Sequence, residues 1–120
     1  MTDNIVKPEI IDFAKPWGNY RLYVQNKRCT VKVLTVNPHQ MLSKQSHENR
    51  DEVWTILDVG LRVELEDQIL DTEPGQLIFI PRGTKHRLIS NGITGRVLEV
   101  SFGWFEEEDV ERYDDIYGRT

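Results

Sequence analysis

The chain has 120 residues, a length at which one domain closes a single hydrophobic core, and we expect one domain over residues 1–120. It is 38% hydrophobic and 29% charged, which excludes a disordered class, and its formal net charge of −5 argues against nucleic acid as a partner. No apolar window reaches the roughly 20 residues of a membrane span, and a single cysteine, Cys29, excludes an intrachain disulfide. We expect a cytoplasmic protein with no membrane partner and no targeting segment.

Short segments of strand character alternate with glycine and proline along the chain. The predicted strands are residues 29–36, 53–57, 61–67, 76–80, 86–90 and 95–102. Residues 61–67 alternate strictly between apolar and charged side chains, whereas 76–80 is a continuous apolar run, typical of a strand covered on both faces. Short strands at close spacing predict an all-β sandwich or barrel.

The tail is expected to differ from the rest. Val110, Tyr113 and Tyr117 recur at helical spacing, with acidic residues before them and Arg119 after them. This charge order suits the helix dipole, so the sequence predicts a short amphipathic C-terminal helix within residues 106–119.

Four side chains with ligand atoms occur near the ends of predicted strands. Gln45 and His47 are two residues apart and share a strand face, and a short turn leads to Glu52 on the next strand. His86 follows a Pro-x-Gly turn. One amide oxygen, one carboxylate and two imidazoles suit a divalent ion, with Zn first and Mn, Fe, Co or Ni as alternatives. Two alternatives to these ligand roles remain open. Gln45 can bind a water or a sugar hydroxyl instead of the metal, and Glu52 can be a solvated acid. We expect His39 to lie in a surface turn.

These residues resemble the two cupin motifs. The segment "HQMLSKQSHENRDEVWTIL" resembles the first motif, and "GQLIFIPRGTKH" matches the second, G-x5-P-x-G-x2-H, at every fixed position. With "KPWGNY" before them and "DVERYDDIYGR" after them, they resemble the type II phosphomannose isomerase cupin domain. The motif-bearing core covers about residues 15–105, and the C-terminal tail covers 106–120. In many relatives this domain follows a guanylyltransferase domain, whereas here we expect it to stand alone.

The resemblance implies a fold, a metal site and a reaction. The fold is a cupin (RmlC-like jelly-roll) antiparallel β-barrel that forms a homodimer, and the metal ligands are Gln45, His47, Glu52 and His86. The reaction is the isomerisation of mannose 6-phosphate to fructose 6-phosphate, in which a metal polarises the C1 and C2 oxygens.

The sequence leaves the proton-transferring group and the function class open. Glu52, Lys85 or a metal-bound hydroxide is a candidate base. We predict that the substrate phosphate is bound by basic residues near the cavity rim, namely Arg50, Arg87 and Lys44. The alternatives are a non-catalytic metal- and sugar-binding cupin, acting as a sensor or as a partner of a separate nucleotidyltransferase, and an epimerase or dioxygenase.

Overall fold

The computed structural model describes residues 8–119, and within this range the chain forms eleven strands and no helix. No helix of residues 8–119 is long and apolar enough to cross a membrane. The expectations for residues 1–7 and 120 lie outside the described residues. The strands are β1 (Ile11–Lys15), β2 (Gly18–Leu22), β3 (Thr30–Val36), β4 (Lys44–Ser46), β5 (Arg50–Ile56), β6 (Leu61–Leu65), β7 (Gln68–Asp71), β8 (Leu77–Ile80), β9 (His86–Ser90), β10 (Gly95–Gly103) and β11 (Glu111–Asp114).

Two antiparallel sheets face each other across one core. The first has the strand order β3-β10-β5-β8, and the second has the order β11-β4-β9-β6-β7. Their inner faces contribute the buried apolar residues Val36, Trp54, Ile56, Ile78, Ile80 and Val97 from the first sheet and Leu61, Val63 and Leu88 from the second. The N-terminal hairpin β1-β2 forms a separate two-stranded sheet. The predicted all-β antiparallel architecture is confirmed.

Strand alternation turns polar side chains inward at one end of this core. On β10, Val97 joins the core, and Glu99 and Ser101 follow it on the same face. Ser101 lies opposite Glu52 of β5 in the register, and Gln45 of β4 lies opposite His86 of β9. The two sheets therefore deliver polar and ionisable groups to a common region.

The predicted C-terminal helix is wrong. Residues Glu111–Asp114 instead form β11, which pairs antiparallel with β4. The helical spacing of Val110, Tyr113 and Tyr117 offers only a thin apolar stripe, with Tyr117 51% exposed. Pairing with β4 instead satisfies the unpaired backbone groups along that strand's edge, which a helix lying beside it would leave without partners.

One prediction about burial also fails. The apolar run 76–80 contains β8, which lies at the edge of its sheet. Only one face of β8 is fully covered, whereas the sequence predicted cover on both faces. Ile78 and Ile80 enter the core, whereas Leu77 is 36% exposed on the opposite face. A continuous apolar run thus arises here from a half-buried edge strand with apolar residues on both faces.

Candidate metal centre

His86 is held by the turn that precedes it. Gly83 adopts φ 81°, a left-handed conformation that favours glycine, and its N–H donates to the carbonyl of His47 over 2.7 Å. The Nδ1–H of His86 donates to the carbonyl of Thr84 at 2.9 Å. Because a carbonyl only accepts, this bond fixes the proton on Nδ1 and leaves Nε2 with a free lone pair.

His47 is held by the tail. It follows β4, and its Nδ1 donates to the carbonyl of Asp109 at 2.6 Å, so its Nε2 also keeps a lone pair. The carboxylate of Asp109 accepts the N–H groups of Glu48 and Asn49, each at 2.9 Å. Burial alone would raise the pKa of Asp109, but these two donors, together with the nearby charge of Arg50, outweigh it and the pKa is lowered. The acidic residues at 106–109 were expected to begin a helix, and one of them, Asp109, instead fixes the 47–49 turn.

Glycine is required where this turn meets β10. Gly103 lies opposite Arg50 in the register and has φ 116°. A Cβ on Gly103 would lie 2.4 Å from the carbonyl oxygen of Asn49. The close approach of the two backbones therefore depends on the absence of a side chain at this position.

Glu52 completes a compact group of three ligand atoms. Its Oε2 lies 3.5 Å from Nε2 of His47, and its Oε1 lies 3.6 Å from Nε2 of His86. The ligand atoms of the three residues all lie within 4.8 Å of one another, and all three residues are buried. Oε1 of Glu52 is buried without a hydrogen-bond donor among the described residues. Two neutral imidazole nitrogens and an unsatisfied carboxylate oxygen form a donor set that fits a divalent metal ion.

Burial keeps the two imidazoles in the form that binds a metal. It lowers the pKa of His86 to about 4, against a weaker opposing effect of the Thr84 carbonyl. It also lowers the pKa of His47, again partly opposed by the Asp109 carbonyl. Both rings are therefore uncharged at neutral pH, as a metal ligand must be.

Gln45 was the fourth predicted ligand. It lies on β4 directly opposite His86 and lines the same cavity as His47 and His86. Its amide nitrogen donates to the carbonyl and the hydroxyl of Ser43, at 3.3 and 3.0 Å. The structure thus brings Gln45 next to the cluster, and its role as a ligand stays a prediction.

Arg50 forms hydrogen bonds with two residues of the His47–Glu52–His86 cluster. Its Nε donates to Oε2 of Glu52 at 2.9 Å, and an Nη donates to Nε2 of His47 at 3.2 Å. Another Nη donates to the carbonyl of Glu106, and the guanidinium lies over the ring of Phe105, 4.3 Å from its centroid. Arg50 does line the cavity as predicted, but its hydrogen bonds go to two of the proposed metal ligands.

The other three predicted basic or catalytic residues lie away from the cavity. Lys44 pairs with Glu64 at 2.9 Å, and the ammonium of Lys85 lies over the ring of Tyr113, 4.3 Å from its centroid. Arg87 donates to the carbonyl of Asp114 at 2.7 Å. Lys44 and Arg87 are next in sequence to Gln45 and His86 on β4 and β9, so strand alternation turns them to the opposite face of the sheet. Lys85 lies just before β9.

Glu99 is a site residue that the sequence reasoning missed. It lines the cavity, is 4% exposed, and accepts a hydrogen bond from Nε1 of Trp54 at 3.2 Å. Burial, followed by the nearby Glu52 carboxylate, raises its pKa. Its position two residues after Val97 on a strand was a usable signal, because an acid on the core-facing side of a strand is unusual unless it is paired or functional.

The cavity next to the cluster has a volume of about 180 Å³. Both sheets and the tail line it, through Lys32, Leu34, Leu42, Gln45, His47, Arg50, Trp54, His86, Glu99, Glu107, Val110, Arg112 and Arg119. Larger grooves of about 580 and 640 Å³ lie elsewhere on the surface, but neither is lined by any residue of the His47–Glu52–His86 cluster. We therefore place the candidate site in the smaller cavity, where the ionisable groups converge.

Residues 6–115 of the chain match the protein family described as "Mannose-6-phosphate isomerase C-terminal". The chain belongs to this family. The resemblance to the phosphomannose isomerase cupin domain is thereby confirmed, and the chain is a cupin domain of the sugar-phosphate isomerase type.

Relatives of this cupin domain include larger proteins. The alginate biosynthesis protein AlgA of Pseudomonas putida is 34% identical over 112 residues, which cover 92% of this chain and 23% of AlgA. The mannose-1-phosphate guanylyltransferase ManC of Salmonella typhimurium is 36% identical over 108 residues, covering 88% of this chain and 22% of ManC. The cupin domain thus spans less than a quarter of the length of these relatives.

Solved structures share the fold at low sequence identity. The 3'-monoepimerase ChmJ from Streptomyces bikiniensis superposes with a TM-score of 0.66 at 8% identity, covering 87% of this chain and 66% of ChmJ. The 3,4-ketoisomerase QdtA from Thermoanaerobacterium thermosaccharolyticum gives a TM-score of 0.63 at 18% identity, covering 94% of this chain and 90% of QdtA. These likenesses establish the cupin-type fold alone.

Proposed function

We propose that this cupin domain is a metal-dependent aldose–ketose isomerase that interconverts mannose 6-phosphate and fructose 6-phosphate. The observation that carries the proposal is the buried group of His47, Glu52 and His86, whose ligand atoms lie within 4.8 Å of one another beside a cavity. Family membership supplies the substrate class. A homodimeric state and a cytoplasmic location stay predictions.

In this proposal His47, Glu52 and His86 hold a divalent ion, with Gln45 beside them. The ion, when bound, supplies a Lewis acid to the oxygens on C1 and C2 of the sugar. The buried setting of the three residues excludes bulk water and strengthens their electrostatic influence on the substrate. The small cavity favours a single sugar unit over a nucleotide sugar, because about 180 Å³ is below the range of typical ligand pockets.

We assign the movement of the proton between C1 and C2 to Glu99. Glu52 is a poor candidate because a carboxylate that holds a metal has little freedom to accept a proton. Lys85, the other predicted base, lies over Tyr113 and does not line the cavity. Glu99 lines the cavity and is anchored by Trp54, so its carboxylate is held beside the bound sugar rather than pointing into solvent.

A second candidate function has one specific observation in its favour. Arg50 donates to both His47 and Glu52, so an internal cation already satisfies part of the cluster. Such an arrangement is compatible with a protein that binds sugar in this cavity without isomerising it. This protein would act as a sensor or as a partner of a nucleotidyltransferase.

A coupled assay on mannose 6-phosphate separates the two candidates. The purified domain should produce fructose 6-phosphate, lose this activity in a chelator and regain it on addition of Zn²⁺ or Mn²⁺. Absence of turnover from a metal-loaded domain that still binds mannose 6-phosphate would favour the binding function.

Two variants then identify the base. Glu99→Gln removes the proton-accepting oxygen with little change in shape, and we expect kcat to fall by about 10² to 10⁴ while KM changes little. Lys85→Met tests the base predicted from the sequence. A large loss of kcat in Lys85→Met, with activity retained in Glu99→Gln, would reverse the assignment.

A further inference from the structure

The cavity lining is more basic than the chain as a whole. Four basic and two acidic side chains line it, in a chain whose formal net charge is −5. The basic residues are Lys32, Arg50, Arg112 and Arg119, and the acidic ones are Glu99 and Glu107. The basic side chains of lysine and arginine therefore outnumber the acidic side chains at the cavity wall.

Three of these four basic residues already have a carboxylate partner. Lys32 pairs with Glu107 at 3.3 Å, Arg50 with Glu52 at 2.9 Å and Arg119 with Asp115 at 2.8 Å. Arg112 makes no ion pair and no side-chain hydrogen bond with any residue in the range 8–119, and its Nε is buried. A buried N–H of a charged group without an acceptor is costly and rare in a folded protein.

The register places Arg112 in a line with the candidate metal centre. Arg112 of β11 lies opposite Gln45 of β4, and Gln45 lies opposite His86 of β9. Since neighbouring strands are about 4.8 Å apart, the Cα atoms of Arg112 and His86 are separated by roughly 10 Å. All three side chains line the same cavity, with His86 at one end of the line and Arg112 at the other.

We propose that Arg112 is the anion-binding residue of the cavity and that it binds the phosphate monoester of the sugar through its Nε and an Nη. A guanidinium presents parallel N–H donors in one plane, and this arrangement matches two oxygens of a phosphate. A hexose 6-phosphate carries its reacting carbons and its phosphate at opposite ends, as the line from His86 to Arg112 requires. The proposal rests on the proposed function for the identity of the sugar.

This assignment differs from the residues that the sequence suggested for the phosphate. Arg87 and Lys44 lie outside the cavity lining, each with a carboxylate partner, and Arg50 donates to two proposed metal ligands. Arg112 was overlooked because the tail was expected to be helical, which gave no reason to place residue 112 beside Gln45.

Calorimetric titrations test the proposal with mannose 6-phosphate, inorganic phosphate and unphosphorylated mannose. Arg112→Gln should weaken binding of mannose 6-phosphate and of inorganic phosphate about tenfold to hundredfold, and leave mannose binding unchanged. Arg112→Lys keeps the charge but loses the planar pair of donors, and should be intermediate. The matched control is Arg62→Gln, because Arg62 is an exposed arginine that pairs with Asp71 away from the cavity, and it should bind as wild type.

The outcomes separate this proposal from the isomerase proposal. Equal phosphate binding by wild type, Arg112→Gln and Arg112→Lys would overturn the Arg112 site, even if the wild type isomerises mannose 6-phosphate. Selective loss of phosphate binding in a wild-type-like fold would support the site, even if the domain shows no turnover. Thermal unfolding of each variant verifies the fold, and Arg112→Lys serves as the test if the glutamine variant fails to fold.

Discussion

The two histidines of the candidate metal centre are oriented in different ways. The ring of His86 is fixed by the carbonyl of Thr84, two residues away in the same turn. The ring of His47 is fixed by the carbonyl of Asp109, 62 residues away in the tail. One half of the centre is thus determined locally, whereas the other half exists only when the tail has folded against the 47–49 turn.

This difference decides which contacts a variant should disturb. Substitutions near residue 83 act on His86 through the turn itself, while substitutions in the tail act on His47 from a distance. Three predictions test the contrast, and the first removes each imidazole in turn.

His47→Ala and His86→Ala should each abolish stoichiometric binding of a divalent metal. Each variant removes one of three donors, and a structural or catalytic zinc site requires at least three protein ligands. His39→Ala is the control, because His39 is exposed in a turn with φ 60° and lies outside the cluster. Elemental analysis after dialysis against Zn²⁺ measures the content. A full equivalent of zinc in His86→Ala would remove His86 from the site.

The sequence predicted the locally determined half of the site better than the other half. The Pro-x-Gly turn and His86 are adjacent in sequence, so their arrangement follows from the motif. The structure also brings the residues at 45, 47 and 52 together as expected, because the alternation of side chains along a strand and one short turn suffice to place them near one another. Asp109 and Arg112 were missed because their positions depend on the pairing between β11 and β4, which no local pattern specifies. Glu99 was missed although it shares a strand face with Val97, which was a local signal.

The strands of the fold show the same difference between features set by a local pattern and features set by long-range pairing. The central strands were predicted to within a few residues because their apolar patterns are strong. The hairpin β1-β2 and the short strands β7 and β11 were not assigned, since short and largely polar strands have little periodicity. A strand at Gln45 was expected, but β4 ends at Ser46, so His47 lies just after it. The tail shows how tertiary pairing overrides a local preference, because a segment with weak helical spacing became a strand on meeting an open edge.

The second prediction uses pH to isolate the locally held histidine. Burial lowers the pKa of His86 to about 4 from an unfolded value of 6.5, so its contribution to stability is present above pH 6.5 and is lost as the pH falls toward 4. The difference between the folded and unfolded pKa values of His86 corresponds to about 3 kcal/mol of unfolding free energy between pH 6.5 and pH 4. Urea unfolding in a chelator at several pH values should show this loss in the wild type.

The histidine variants identify the source of the pH dependence. His86→Gln removes one titrating ring and should reduce the loss of stability between pH 6.5 and 4, leaving the part that comes from the buried His47, whose pKa is also lowered. His39→Gln should retain the wild-type profile. An unchanged profile in His86→Gln would mean that another group causes the acid sensitivity.

The third and smallest effect tests the half of the centre that depends on the tail. Asp109→Ala removes the carboxylate that accepts the N–H groups of Glu48 and Asn49, so the turn carrying His47 loses two of its hydrogen bonds to the tail. We expect a loss of about 2 kcal/mol in unfolding free energy. Metal affinity should fall about tenfold to hundredfold, as when a group that orients a ligand is removed. The control is Asp115→Ala, because among the residues 8–119 the carboxylate of Asp115 accepts hydrogen bonds from Tyr117 and Arg119, which lie within the tail itself. Imidazole ¹⁵N NMR gives the decisive readout. Asp109→Ala should shift the Nδ1 resonance of His47 and leave that of His86 in place, since the carbonyl of Thr84 is unaffected. Equal shifts of both rings would mean that the two histidines are coupled, and the contrast between local and distant orientation would not hold.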